Sequence, residues 1–181
     1  MARTREFEID AALDAAVTLL WRQGYAATSV RQLCDAMGIA SGSFYAAFES
    51  KEDCFRRALG RYLDVELPAM RPSPAAISAW LWAISSPSRR GRGCLLVNSA
   101  VESPGLDPRS QAIVTERLAA LEQFFVRCLG QSPSAKDDAA LLAATVVSIH
   151  VMSRSGSSPA KLRRVANRVL ALTGLPPAAR S

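Results

Sequence analysis

Between Thr28 and Phe55 the chain reads "TSVRQLCDAMGIASGSFYAAFESKEDCF", a stretch that starts a helix three times and stops one twice. Ser29, with Gln32 three residues later, has the spacing of a capping box that opens a helix, and Gly38 stops it. A second start near Ser41 opens a helix of barely two turns, to about Phe48. Ser50, with Asp53 three residues on, opens a third and longer helix that continues towards Met70. A helix as short as 41–48 does not stand alone in water, so its neighbours must hold it and present one side of it.

The preceding helix is predicted over 7–22, with Phe7, Leu13, Ala16, Val17 and Leu20 along one stripe and Gly24 as its C-cap. Three helices with a tight turn at Gly38 form a helix-turn-helix arrangement. Gly38 is expected where a Cβ would crowd the reversal. Val30, Leu33, Ile39, Phe44 and Phe48 pack the unit together. Ser41, Gly42, Ser43 and Tyr45 are then left on the outer face of the short helix. Gly42 lets a backbone approach closely, and serine and tyrosine hydroxyls bond base edges or phosphates without burying charge. Lys51 opens the next helix, where N–H groups and the dipole already favour an anion.

Helical signals continue to the end. "AAISAWLWAI" and "CLLVNSAVE" follow Pro72 and Pro74, and longer helices are expected over 110–129, 135–153 and 159–173. No alternating strand pattern survives, so the fold class is all-α with about nine helices.

Composition narrows the function. With 49% hydrophobic and 21% charged residues in 181, the chain reads as a soluble globular protein of one domain or two small ones. Its longest apolar window, "AALLAATVV" at 139–147, is too short to span a bilayer, and "MARTREFEID" lacks the apolar core of a signal peptide. No membrane association and a cytoplasmic location are expected. Cys34, Cys54, Cys94 and Cys128 form no CxxC pair, and His150 is the single histidine. No metal site, cofactor or catalytic residue is therefore expected, and an enzyme is disfavoured. The net charge of +6 suits an anionic partner, yet residues 1–61 hold eight Lys/Arg against eight Asp/Glu. The excess lies later, in "RRGR" at 89–92 and between Arg154 and Arg168, so charge alone does not locate a nucleic-acid site.

"GYAATSVRQLCDAMGIASGSFYAAFESKEDCF" resembles the DNA-binding domain of the TetR family of transcriptional repressors, and the likeness covers residues 7–56. The resemblance implies a helix-turn-helix domain over 1–50 and a ligand-binding and dimerisation body over 51–181. It also implies a supporting first helix, a third helix in the major groove of an operator, and phosphate contacts from Thr28, Ser29, Tyr45 and Lys51. Two departures stand out. Ala40 replaces the usual Ser or Thr before the recognition helix, and Ala46 and Ala47 occupy positions where the family carries His, Tyr or Trp. Specificity is then expected to lean on Ser41, Ser43, Tyr45 and Arg31, with Gly42 admitting close approach.

In the body, "SIHVMSRSGSSPAKLRRVANRVLAL" resembles the family's last two helices, which form a four-helix bundle with a second copy. Val147, His150, Val151, Val165 and Val169 are the expected interface residues of a homodimer, with Val146, Ile149 and Leu170 adding apolar surface. Trp80 and Trp82 point to roughly opposite sides of their helix. Trp80, Leu81, Phe124 and Phe125, with Ile77, Leu95, Val97 and Leu121, either enclose an apolar cavity or fill a packed core; both readings stay open. Any effector is expected to be small and apolar or aromatic. "GCLLVNSAVE" resembles a branch in which some members use the cysteine to sense oxidants or electrophiles. That makes Cys94 a redox candidate, with Arg89, Arg90 and Arg92 upstream to favour its thiolate.

Overall fold

The computed structural model describes the backbone of residues 2–66, 71–86, 91 and 93–177, and their side chains except for 2–8 and 66. Phe7 therefore lies outside the described side chains, and Met70, Arg89, Arg90 and Arg92 lie outside the described residues. Nine α-helices and no strand occur among the described residues: α1 Ala2–Gln23, α2 Val30–Met37, α3 Ser41–Ala47, α4 Lys51–Glu66, α5 Pro74–Ile84, α6 Leu95–Val101, α7 Pro108–Leu129, α8 Ala135–Arg154 and α9 Pro159–Leu172. A 3₁₀ turn at Ser103–Gly105, which the sequence pattern does not announce, lies between α6 and α7. No helix among the described residues is long and apolar enough to cross a membrane.

The chain divides into two compact units, Met1–Pro68 with Asn98–Thr115, and Ala69–Val97 with Glu116–Ser181. In the first, α1 packs on α2 and α4. Leu13, Ala16 and Leu20 of the predicted α1 stripe are buried, and they share the core with Leu33, Phe44, Phe48, Phe55 and Leu59. Arg61 ties α4 back to α1: Nη2 donates to Asp14 at 2.8 Å, Nε donates to the other Asp14 oxygen, and Nη1 meets Asp10 at 3.2 Å. The Arg61 hydrogen bond holds the Asp14 carboxyl below its usual range. A carboxyl lowered in the folded state adds stability above its unfolded value and loses it as pH falls through the folded one. We expect Asp14→Asn to cost about 0.5 kcal/mol near neutrality, since the pair is largely solvent-screened. The difference from wild type should shrink in chemical denaturation as pH falls below the ordinary aspartate range.

In the second unit, α5, α8 and α9 pack together with α7 supplying Leu121, Phe125 and Cys128. Ile77, Leu81, Leu142, Ile149, Leu162, Ala166 and Leu170 form the centre of this core. Two of its helices open on a serine cap followed by a proline. Ser73 and Ser158 accept the backbone N–H of Ala76 and Lys161, and Pro74 and Pro159 occupy the first helical position, where a missing N–H costs nothing.

Candidate nucleic-acid interface

The capping box at Ser29 forms as its spacing requires. Ser29 Oγ accepts from Gln32 N at 3.2 Å, and Gln32 Oε1 accepts from Ser29 N at 2.8 Å. α2 ends at Gly38, whose φ of +69° is left-handed, while Ile39 N donates to Cys34 O at 3.1 Å. Nothing lies within 4 Å of where a Cβ at Gly38 would sit. The crowding expected from sequence is thus corrected: glycine is needed for the sign of φ, which closes the αL cap, and not for space.

α3 starts at Ala40 with no side-chain cap. Its order comes from elsewhere. Phe44 is fully buried and packs on Phe48 with ring centres 5.1 Å apart. Arg57 of α4 lays its guanidinium 4.8 Å from the centre of the Phe48 ring and donates from Nη1 to Ala47 O at 2.8 Å, satisfying one of the carbonyls that a helix end leaves open. Sequence reading assigned Arg57 no role, because its partner lies ten residues back and the contact exists only once α4 turns against α3.

With α3 pinned this way, Ser41, Gly42, Ser43 and Tyr45 are exposed on one side, and Arg31 of α2 is also exposed. Tyr45 is 59% accessible, its ring edge-on to Phe44 at 5.3 Å. A Cβ at Gly42 would meet nothing within 4 Å. The face offers hydroxyls and bare backbone, groups that donate and accept hydrogen bonds at base edges and phosphates alike.

Thr28 differs from its expected role. Its side chain is 1% exposed, its hydroxyl donates to Gly24 O, and it accepts from Gln23 Nε2 at 3.1 Å. It pins the α1–α2 loop from inside, so a phosphate contact by this side chain is not what the structure presents. Lys51 is half-buried at the start of α4, its Nζ 4.0 Å from the centre of the Tyr25 ring. Burial lowers its pKa, and the Glu52 and Glu102 carboxylates oppose that. The Tyr25 phenol donates to Glu52 Oε1 at 2.8 Å; burial first, then that carboxylate, pushes the phenol above its ordinary value. Glu52 itself is held low by backbone, Ser50 and Tyr25 hydrogen bonds. Asp53 N donates to Ser50 Oγ at 3.2 Å, and Asp53 Oδ2 accepts from Glu49 N, one residue before the cap, at 3.4 Å.

Asp107 caps α7 by accepting from the backbone of Arg109 and Ser110 and from the Ser110 hydroxyl, and it meets Arg56 of α4 at 3.2 Å. Burial pushes its carboxyl up, but the Ser110 hydrogen bonds and the Arg56 charge outweigh that and hold it low.

In the second unit, Trp80 meets Phe124 at 5.8 Å and Phe125 at 5.6 Å between ring centres. Leu81 and Phe125 are fully buried, and Trp80 and Phe124 are partly buried against them. Trp82 instead lies 5.0 Å from the Arg163 guanidinium. Leu95 and Val97 are buried as well. Among the proposed interface residues, Val151 is exposed, Val147 and Val165 are half-buried, and His150 and Val169 are buried within the single chain. Val169 belongs to the core, and Val165 packs against it. Cys94 is 9% exposed and directly precedes α6, whose first residue is Leu95. Burial pushes the Cys54 thiol up to about 12 and raises Cys128 too. Among the described residues no group of three His, Cys, Asp or Glu could hold a metal ion.

A family model described as bacterial regulatory proteins of the tetR family matches residues 12–58, the span that contains α2, α3 and the first half of α4. The chain is 30% identical over 197 aligned positions to the HTH-type transcriptional repressor ComR of Escherichia coli, covering 94% of this chain and 90% of that one. It is similar in structure to the TetR-family regulator CifR, solved as a cysteine mutant on a 26-bp double-strand operator. That match has a TM-score of 0.74 and 26% identity and covers 90% of this chain and 95% of that one. It also shares the fold of a TetR transcriptional regulator from Chloroflexus aurantiacus, with a TM-score of 0.78 at 21% identity, covering 96% and 97% of the two chains.

Proposed function

Because the chain belongs to the TetR family of bacterial regulatory proteins, we propose that it is a transcriptional repressor whose α3 reads a palindromic operator as a homodimer and is released by a small apolar or aromatic effector. The observation that carries this reading is the exposed side of α3. Ser41, Gly42, Ser43 and Tyr45 face outward from a seven-residue helix held by Phe44 and Arg57. Ser29 and Lys51 would supply backbone contacts and Arg31 would add to the readout, in a helix-turn-helix domain over 1–50 followed by a body over 51–181.

The dimer is supported by apolar surface on α8 and α9, where Val151 is 47% exposed and Val147 and Val165 are half-buried. Two-fold pairing also matches the geometry by which paired recognition helices meet half-sites one DNA turn apart. An effector would act where Trp80 and Phe124 edge the core over Leu81 and Phe125. The thiol-sensing alternative is less favoured, since Cys94 at 9% exposure is shielded from an oxidant.

The test is selection of duplex DNA from a random pool, followed by fluorescence anisotropy of the enriched sequence against a scrambled one across a salt series. We expect sequence-selective binding that weakens with salt, with two chains per duplex by sedimentation. The double variant Ser43→Ala with Tyr45→Phe should bind about tenfold or more weakly, one base contact being worth about 1–3 kcal/mol. A pool with no enriched sequence, or a double variant binding like wild type, would sink the reading.

A further inference from the structure

We infer that Glu102 is a positioning residue for DNA binding: its carboxylate, at the end of α6, fixes the α1–α2 loop from which the helix-turn-helix starts. This rests on the reading that Ser29, Lys51 and α3 meet the duplex. Glu102 Oε2 accepts the backbone N–H of Ala26 at 2.9 Å, from 76 residues away. Its other oxygen lies against Gly24, which is buried with φ +87°; a Cβ there would overlap Glu102 Oε1. Only glycine therefore both ends α1 in this conformation and leaves room for the carboxylate.

The loop closes around the same point. Thr28 donates to Gly24 O, Gln23 Nε2 donates to Ala27 O at 3.0 Å, and the next residue is Ser29, the cap of α2. Glu102 is itself held from both sides, its N–H donating to Asn98 O at 3.2 Å and its C=O accepting from Gly105 N at 2.9 Å. A fixed anchor on the loop fixes where α2 begins. The carboxylate has a second effect, since its charge acts on Lys51. It thus competes with a phosphate for that ammonium while it holds the backbone in place.

Two variants separate these effects. Glu102→Gln keeps an acceptor oxygen for Ala26 and removes the charge, whereas Glu102→Ala removes both. In amide hydrogen exchange on the full chain without DNA, Ala26 N–H should exchange about tenfold faster in Glu102→Ala and as in wild type in Glu102→Gln. In anisotropy on the selected duplex, Glu102→Ala should bind about tenfold more weakly, and Glu102→Gln at least as tightly as wild type. Unchanged protection of Ala26 in Glu102→Ala overturns the inference, and so does Glu102→Gln behaving like Glu102→Ala, or Glu102→Ala binding DNA like wild type. Failure of wild type to bind any selected duplex overturns the DNA reading instead, and the exchange arm still decides whether Glu102 holds the loop.

Discussion

Phe44→Ala is expected to remove about 3–5 kcal/mol of stability, the range for emptying a fully buried phenylalanine site. Phe44 is 0% exposed and stands between the Phe48 and Tyr45 rings. It is also the one buried residue of α3, which has no side-chain cap at its start. Most single packing changes can be absorbed by neighbouring elements, but a seven-residue helix with one buried side chain has only the Arg57 hydrogen bond to Ala47 O to fall back on. Chemical denaturation should show the loss, and amide exchange should show α3 protection lost first. DNA binding should disappear with it. A cost below about 1 kcal/mol would mean that the ring site collapses without harm and that α3 is held by Arg57 alone.

Ser43→Glu is expected to do the opposite: leave stability within about 0.5 kcal/mol of wild type and weaken DNA binding by about a hundredfold or more. Ser43 is exposed and has no hydrogen-bond partner whose loss would cost the fold. The substitution removes one contact, worth about 1–3 kcal/mol if it reaches a base edge, and adds a negative charge facing phosphates. Thermal melting and anisotropy on the selected duplex measure the two quantities separately. Full-strength binding by Ser43→Glu would remove α3 from the interface. The pair Phe44 and Ser43, adjacent in sequence, should thus separate holding from reading.

Much of this was legible in the residues, because helix starts and stops are local. Ser29 with Gln32, Gly24 and Gly38 marked boundaries that the structure keeps, and Leu13, Ala16, Leu20 and Phe44 turned inward as their spacing implied. What escaped depends on tertiary geometry. Whether the Thr28 hydroxyl faces out or in depends on the loop turning back on Gly24, and nothing in "GYAATSV" says which. Arg57 and Glu102 act on backbone atoms ten and 76 residues away, and a charged residue on a helix looks the same in sequence whether it is solvated or clamping a carbonyl. The reason for Gly38 was also misjudged, since open space and a left-handed φ cannot be told from crowding without coordinates. In the second unit, Val151 and Val169 are both valines at helical spacing, and only packing puts one outside and the other in the core.

The side chains that hold α3 and those it displays are different residues: Phe44, Phe48 and Arg57 on one side, Ser41, Ser43 and Tyr45 on the other. Such a partition frees the display from the demands of folding. In the operator reading proposed above, substitution at Ser41, Ser43 or Tyr45 should change which DNA is preferred without a compensating change in the scaffold. A lineage can therefore move between target sites through folded intermediates, one displayed residue at a time.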